Sequence, residues 1–269
     1  MMTIDNLLEA LLTRFPAEDA EEWDHIGLSV GDPSDRVRGV LVSLDVTPES
    51  IDAAQRAGAN VLLTHHPVYL KAPSAFVPRS DQNHPLSSET LYKAIKAGVT
   101  VISLHTNLDR SIEARKLLAS MLEVSTSGSL EHPDDAEAKG YGMVSGAVEL
   151  SLSDLAVRAA RAFNTDPRVW GRPSSPVRRL SMLGGSLGDF GDHALACGVD
   201  AVICGEAGYH VCQDLAARGL GIILLGHDAS EQPFTKVLAD ATHEIAGEDM
   251  NVTIFDPPRQ WWTVLEGVR

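Results

Sequence analysis

Short apolar runs alternate with amphipathic helical patterns along the first half of the chain. An opening helix is predicted near residues 3–15, strands within 38–46, 59–67 and 99–107, and further helices at 48–58 and 87–98. Near-continuous Val, Ile and Leu runs of this kind are typical of a parallel sheet covered on both faces. Pro48 at a first helical turn, with Gly58 and Gly98 just past the last turns, marks the expected helix boundaries. The pattern therefore predicts an α/β first half.

A polar segment at residues 125–140, rich in Ser, Gly and acidic residues, is the best candidate for a domain boundary. Beyond it the alternation resumes, and strands are predicted near residues 141–150, 178–185, 200–205, 221–226 and 251–256. We therefore predict two similar three-layer α/β/α lobes with mainly parallel sheets. Residues 1–128 would form the first lobe and residues 129–269 the second.

The two halves share a weak internal repeat. Residues 54–66 align with residues 195–207. Residues 101–109 resemble residues 222–231, and these two segments end in His-x3-Asp and His-x3-Glu respectively. Only two copies are present, so the repeat indicates two related lobes rather than a solenoid.

Three predicted strands end in residue types that bind metals. These residues are His65 and His66, then His105 and Asp109, and finally His227 and Glu231. Ligands of open parallel sheets bind at the carboxyl ends of the strands. Imidazole nitrogens and carboxylate oxygens together suit Zn, Mn, Fe or Ni. A set of this size favours two metal ions that share a carboxylate over one ion, and we predict that the site lies in the cleft between the lobes.

His105 could have one of three roles. It could be a metal ligand, a residue that supports the ligands without binding the metal, or a proton carrier at neutral pH. We rank the role of a residue that supports the ligands without binding the metal first, and we name His105 as the candidate catalytic residue. Asp45, and Glu206 with His210, are further candidates on the same rim, although helix capping or a solvated turn would also explain them. Lys71 is either an ordinary surface lysine or a group that steers an anionic substrate.

Two other segments have open interpretations. Trp23 and Asp24 either shape the entrance to the site or form a buried core pair. The glycine-rich residues 184–191 follow a predicted strand but do not spell a dinucleotide fingerprint. They favour a tight strand-to-helix turn over a phosphate cradle.

Composition narrows the classes of partner and compartment. The chain has 22 Lys and Arg against 37 Asp and Glu, a net charge of -15, which disfavours nucleic acid or anionic lipid as a partner. An anionic substrate would need another positive centre, which a bound metal supplies. No apolar run approaches the roughly 20 residues of a membrane span. Asp5 and Glu9 lie where a signal peptide would have its apolar block. We therefore expect a cytoplasmic protein with no membrane association.

Four motifs occur in an order that matches a known family: WDHIGLSVGD at 23–32, LLTHHP at 62–67, HTNLD at 105–109 and GHDASE at 226–231. Together they resemble the Nif-three-like family of YbgI-like proteins, often labelled GTP cyclohydrolase 1 type 2 homologues. The resemblance implies a two-lobed α/β protein, a toroidal homohexamer and a dinuclear metal centre facing an interior cavity. By that likeness the metal ligands are His65, His66, Asp109, His227 and Glu231. His25 and Asp228 depart from the family pattern, where Asn and an aromatic residue are more usual.

Two hypotheses of function follow. The first is a metal-dependent hydrolase that attacks a nucleotide or similar anionic small molecule, with GTP implied by the family label and a phosphoester as the other option. The second is a non-catalytic, metal-binding hexameric scaffold, metal store or chaperone. Open coordination positions beside a polar pocket would favour the enzyme, and full ligation by the protein would favour the scaffold.

Overall fold

A computed structural model describes residues 2–262 of the 269-residue chain. A short 3-10 turn covers Ala17–Asp19. The helices are α1 (Ile4–Arg14), α2 (Pro48–Arg56), α3 (Leu86–Ala97), α4 (Thr106–Asp109), α5 (Ile112–Met121), α6 (Leu152–Ala162), α7 (Phe190–Ala196), α8 (Tyr209–Ala217), α9 (His227–Glu231) and α10 (Phe234–Ala246). The strands are β1 (Gly27–Val30), β2 (Val40–Ser43), β3 (Val61–Thr64), β4 (Thr100–Ser103), β5 (Thr126–Gly128), β6 (Met143–Ser145), β7 (Leu150–Ser151), β8 (Arg168–Trp170), β9 (Pro176–Val177), β10 (Leu180–Met182), β11 (Ala201–Cys204), β12 (Gly221–Leu224) and β13 (Val252–Phe255).

The first sheet has the strand order β1-β4-β3-β2-β13. Strands β13, β2, β3 and β4 are parallel, and β1 pairs antiparallel with β4 at one edge. The register aligns Ser43, Thr64 and Ser103, so β2, β3 and β4 end side by side. The residues that follow these strands therefore emerge at one edge of the sheet.

The second sheet has the order β5-β6-β10-β11-β12-β8. Its strands β10, β11 and β12 are parallel, and the flanking pairs are antiparallel. The single strand predicted at 141–150 is instead two short strands in different sheets, β6 and β7. The chain turns away at Gly146, where any Cβ would lie 2.5 Å from the Ser125 hydroxyl oxygen.

The two sheets share one hydrophobic core. Along β3, Val61 and Leu63 point into this shared core, whereas Leu62 packs into a separate cluster with α2 and α3. On β11, Ala201 and Ile203 point into the shared core, and the alternate residues pack against α7 and α8. Residues of α1, α5, α6 and α10 complete the shared core. The α/β prediction is thus confirmed, with the inner helices common to both sheets.

The strand pairing bears on where each lobe ends. Strand β13 pairs with β2 and so lies in the first sheet, although the sequence division assigned residues 129–269 to the second lobe. Helix α10 packs against α1 and carries the chain back to that sheet. The boundary after residue 128 otherwise stays a prediction. Among the described helices, none has the length and apolarity needed to cross a bilayer.

Candidate metal centre

The predicted metal-ligand residues emerge from strand ends in both sheets. His65 and His66 directly follow β3, whereas His105 follows β4 and forms the N-cap of α4. Asp109 is the last residue of α4, and α9 runs from His227 to Glu231. Each His-x3-acid segment is therefore a single helical turn, in which residues four apart lie on one face.

Glu231 lies at the centre of the cluster and is buried. Its Oε2 is 2.8 Å from His66 Nε2 and 3.0 Å from His227 Nε2, and its Oε1 is 3.8 Å from His65 Nε2. Burial by itself would raise the pKa of Glu231, but hydrogen bonds from His227 and His66 hold it well below its usual range. One carboxylate thus faces three imidazoles.

His65 shows how well these residues fit a metal ion. Its Nδ1 donates a hydrogen bond to the Leu104 carbonyl at 3.1 Å, which leaves Nε2 as the acceptor nitrogen. Nε2 is buried, has no hydrogen-bond partner among the described residues, and faces Asp109 Oδ1 at 3.7 Å. Burial lowers the pKa of His65, which favours the neutral imidazole. A neutral, buried imidazole nitrogen aimed at two carboxylates is the arrangement that a divalent ion would satisfy.

Burial and the nearby Glu231 carboxylate raise the pKa of Asp109 to about 7. The two acids of the cluster therefore differ. Glu231 is charged because histidines surround it, while Asp109 carries the cost of an uncompensated buried charge. A divalent cation between them would remove that cost.

The outer nitrogens of His66 and His227 are each held by a carboxylate. His66 Nδ1 lies 2.8 Å from Asp45 Oδ1, and His227 Nδ1 lies 3.0 Å from Glu206 Oε1. Burial would lower the pKa of His66, but the two carboxylates outweigh it and raise the pKa to about 10. The hydrogen bond to Glu231 is the main cause that raises the pKa of His227 to about 9. Asp45 and Glu206 thus orient the two imidazoles, as carboxylates commonly do for metal-binding histidines.

His105 is held by Asp24. Its Nδ1 lies 2.8 Å from Asp24 Oδ1, and Asp24 Oδ2 accepts a hydrogen bond from the Thr106 backbone at 3.0 Å. Burial opposes ionisation of Asp24, but the bonds from His105 and Thr106 prevail and hold its pKa well below the usual range. The His105 ring is 5.2 Å from the His65 ring, and the exposed Trp23 ring meets it edge-on at 6.1 Å. His105 is therefore fixed beside the cluster.

Three groups of residues place one nitrogen or oxygen atom each within 4.8 Å of one another and could hold a metal ion. They are His65 with His66 and His105, His66 with His227 and Glu231, and His65 with Asp109 and Glu231. Glu231 belongs to the last two groups. All six residues that the sequence singled out at the strand ends therefore lie in candidate metal groups.

A glycine turn makes room for Glu231. Gly185 has φ +61°, and a Cβ on it would lie 2.2 Å from Glu231 Oε1. A Cβ on Gly184 would lie 2.8 Å from Glu231 Cγ, and the Gly185 amide donates to the Ser230 hydroxyl at 2.9 Å. The turn between β10 and α7 was predicted, but its contact with the cluster was not, because Gly185 and Glu231 are distant in the sequence.

A cavity of about 1080 Å³ opens beside His66 and His227. Its wall also includes Asp45, Asp228 and the segment from Asp256 to Trp261. Lys71 is exposed and lies outside the set of lining residues, and so does His210. The two positions that depart from the family pattern have local partners. His25 stacks on Tyr69 with ring centres 4.5 Å apart, and Asp228 accepts a hydrogen bond from the Trp261 indole at 3.1 Å.

Fold and cluster together define an α/β protein with metal-binding residue types at strand ends of two sheets. The sequence model of Duf34/NIF3 (NGG1p interacting factor 3) matches residues 2–258. The chain therefore belongs to the DUF34/NIF3 family, as its motifs predicted.

Relatives and solved structures agree with this assignment. A Streptomyces coelicolor protein named GTP cyclohydrolase 1 type 2 homolog is 30% identical over 274 residues, covering 98% of this chain and 94% of that protein. A Staphylococcus aureus hypothetical protein matches with a TM-score of 0.86 at 21% identity, over 98% of this chain and 99% of that one. A Bacillus cereus protein related to NIF3 matches with a TM-score of 0.84 at 20% identity, over the same shares. The structural matches confirm the fold.

Proposed function

We propose that the chain binds two divalent metal ions through His65, His66, Asp109, His227 and Glu231 and is a metal-dependent hydrolase. The observation that carries this proposal is the Glu231 carboxylate, which two candidate groups share. Its Oε1 faces His65, and its Oε2 faces His66 and His227. A carboxylate that presents one oxygen to each of two ligand sets suits a bridge between two ions.

The two ions would supply Lewis acidity and lower the pKa of water toward neutrality. The protein residues do the rest. The Leu104 carbonyl, Asp45 and Glu206 fix the orientations of His65, His66 and His227. His105, held at Nδ1 by Asp24, keeps its Nε2 available to carry a proton beside the cluster.

Two features favour an enzyme over a store. Each of the two groups that share Glu231 has three protein ligands, which leaves coordination positions for water or substrate. A cavity of about 1080 Å³ adjoins one of these groups at His66 and His227, enough for a nucleotide-sized molecule. We propose a nucleotide or related phosphoester as substrate, consistent with the name of the Streptomyces coelicolor relative, GTP cyclohydrolase 1 type 2 homolog. We also propose that the protein is a cytoplasmic homohexamer. Light scattering should then give a molar mass of six times 28.9 kDa.

The test is metal content by plasma mass spectrometry, with turnover of nucleotides and phosphoesters measured on the same preparations. We expect about two ions per chain in the parent protein and loss of both in Glu231→Ala, because each ion would lose a shared ligand. Asp109→Ala should retain one ion. His210→Ala is the matched control, a histidine on α8 that contacts Tyr209 instead of the cluster, and should retain both ions.

Two results would count against the proposal. Retention of both ions by Glu231→Ala would refute the shared carboxylate. Two ions without turnover of any compound would instead support a scaffold or metal store, in which His105 completes the ligation that the group with His65 and His66 allows.

A further inference from the structure

The C-terminal segment, residues 256–261, forms part of the wall of the cavity beside His66 and His227. Its second and third residues are Pro257 and Pro258, whose rings restrict the backbone and stiffen the segment. Arg259 and Trp261 follow, and both line the cavity. An aromatic ring and a guanidinium are therefore present in the same cavity as two residues of the candidate metal centre.

Specific contacts fix this segment in place. The Trp261 indole donates to Asp228, the residue after His227, and Arg259 Nη2 donates to the Asn164 carbonyl at 2.6 Å. The Arg259 guanidinium also lies over the Trp261 ring, 5.1 Å from its centre. Trp261 is 44% exposed, whereas its neighbour Trp262 is 81% exposed. Trp261 is thus partly packed and still presents ring surface.

The charges of the cavity wall single out Arg259. Lys236 pairs with Asp240 at 2.7 Å. Of the three carboxylates in the described wall, Asp45 and Asp228 accept hydrogen bonds from His66 and Trp261, and the third is Asp256. Among the described residues, no carboxylate forms an ion pair with Arg259, whose contacts are a carbonyl oxygen and a ring. In a protein of net charge -15, an arginine in such a cavity with no acidic partner in the described part of the chain is available to an anionic ligand.

We propose that Arg259 and Trp261 form a recognition subsite for a ligand that combines a phosphate group with a flat heteroaromatic ring. A guanidinium binds phosphate oxygens through two parallel hydrogen bonds, and an indole stacks on a heteroaromatic ring. The subsite would hold such a ligand next to His66 and His227. The inference rests on and deepens the proposed hydrolase function. Ligand binding can be measured whether or not the protein has hydrolase activity.

The test is isothermal titration calorimetry of the metal-loaded protein with guanosine monophosphate, guanosine and inorganic phosphate as separate probes. Arg259→Gln should weaken binding of the monophosphate and of phosphate roughly 10- to 100-fold and leave guanosine unchanged. Trp261→Ala should weaken binding of the monophosphate and guanosine roughly 5- to 150-fold and leave phosphate unchanged. The three probes thus separate the anion contact from the ring contact.

Matched controls come from the same chain. Trp262→Ala removes the adjacent, more exposed indole, and Arg172→Ala removes an exposed arginine outside the cavity wall. Both should bind all probes as the parent protein does. Metal content and thermal unfolding of each variant show whether the centre and the fold are intact.

The proposal is overturned if the parent protein does not bind guanosine monophosphate at millimolar concentration. It is also overturned if Arg259→Gln and Trp261→Ala bind it within twofold of the parent, or if the controls weaken it equally. Loss of binding in the two variants without turnover in the parent would support the subsite and count against the hydrolase. Turnover by the parent protein, with unchanged binding in the two variants, would support the hydrolase and count against the subsite.

Discussion

Gly185→Ala tests whether the glycine turn positions Glu231. The new Cβ would lie 2.2 Å from Glu231 Oε1 and 3.4 Å from His227 Cε1, so the carboxylate must move away from the cluster. The backbone at φ +61° adds about 1–2 kcal/mol of strain for a residue with a Cβ. We therefore expect loss of both metal ions together with a lower melting temperature.

Gly188→Ala is the control that separates strain from displacement. Gly188 lies in the same turn at φ +49°, but a Cβ there would meet nothing within 4 Å. This variant should lose about 1 kcal/mol of stability, a fall of roughly 2–4 °C in Tm, and keep its metal.

The assay is metal content by mass spectrometry, combined with thermal unfolding of the metal-free and metal-loaded forms of both variants. Unfolding of the metal-free forms shows whether Gly185→Ala still folds. If folded Gly185→Ala binds metal with the stoichiometry and affinity of Gly188→Ala, the geometric argument is refuted.

Three further predictions concern the core, His105 and the cysteines. Leu63→Ala, in the shared core, should lower the free energy of unfolding by about 2–5 kcal/mol, whereas Ile95→Ala on an exposed helix face should change it by less than about 0.5 kcal/mol; denaturant titration checks both. His105→Ala should lower turnover about 100-fold or more at unchanged metal content, and a loss of metal would instead make His105 a ligand. Burial raises the pKa of Cys204 to about 12, so iodoacetamide should modify the partly exposed Cys197 first, as peptide mass spectrometry can show.

Much of the fold follows from local pattern. The apolar run that contains β3, closed by Pro67, predicts a strand that ends at the histidine pair, and the structure has that strand. The His-x3-acid spacing brings both groups onto one side if the loop after the strand runs into a helix, and α4 and α9 are such helices. Periodicity and spacing depend on neighbouring residues, so one sequence is enough to read them.

The features of the fold and the candidate site that the sequence did not predict depend on contacts between distant segments. Pairing of β13 with β2 joins residues about 200 positions apart, and no local signal selects that partner. The position of Gly185 under Glu231 is equally non-local. Strand β8 was also missed, because Arg168 and its neighbours have the composition of a solvated loop and form only an edge strand. A tertiary contact outweighed the local preference there.

The core shared by the two sheets limits how the molecule can move. A protein that binds ligands by hinged closure has two bodies joined by a few flexible residues. Here, helices α1, α5, α6 and α10 contribute side chains to a core that contacts both sheets, so opening the sheets would expose that core to water. The spacing between His66 and Glu231 is therefore preset, and the cavity beside them is open while the two sheets stay together.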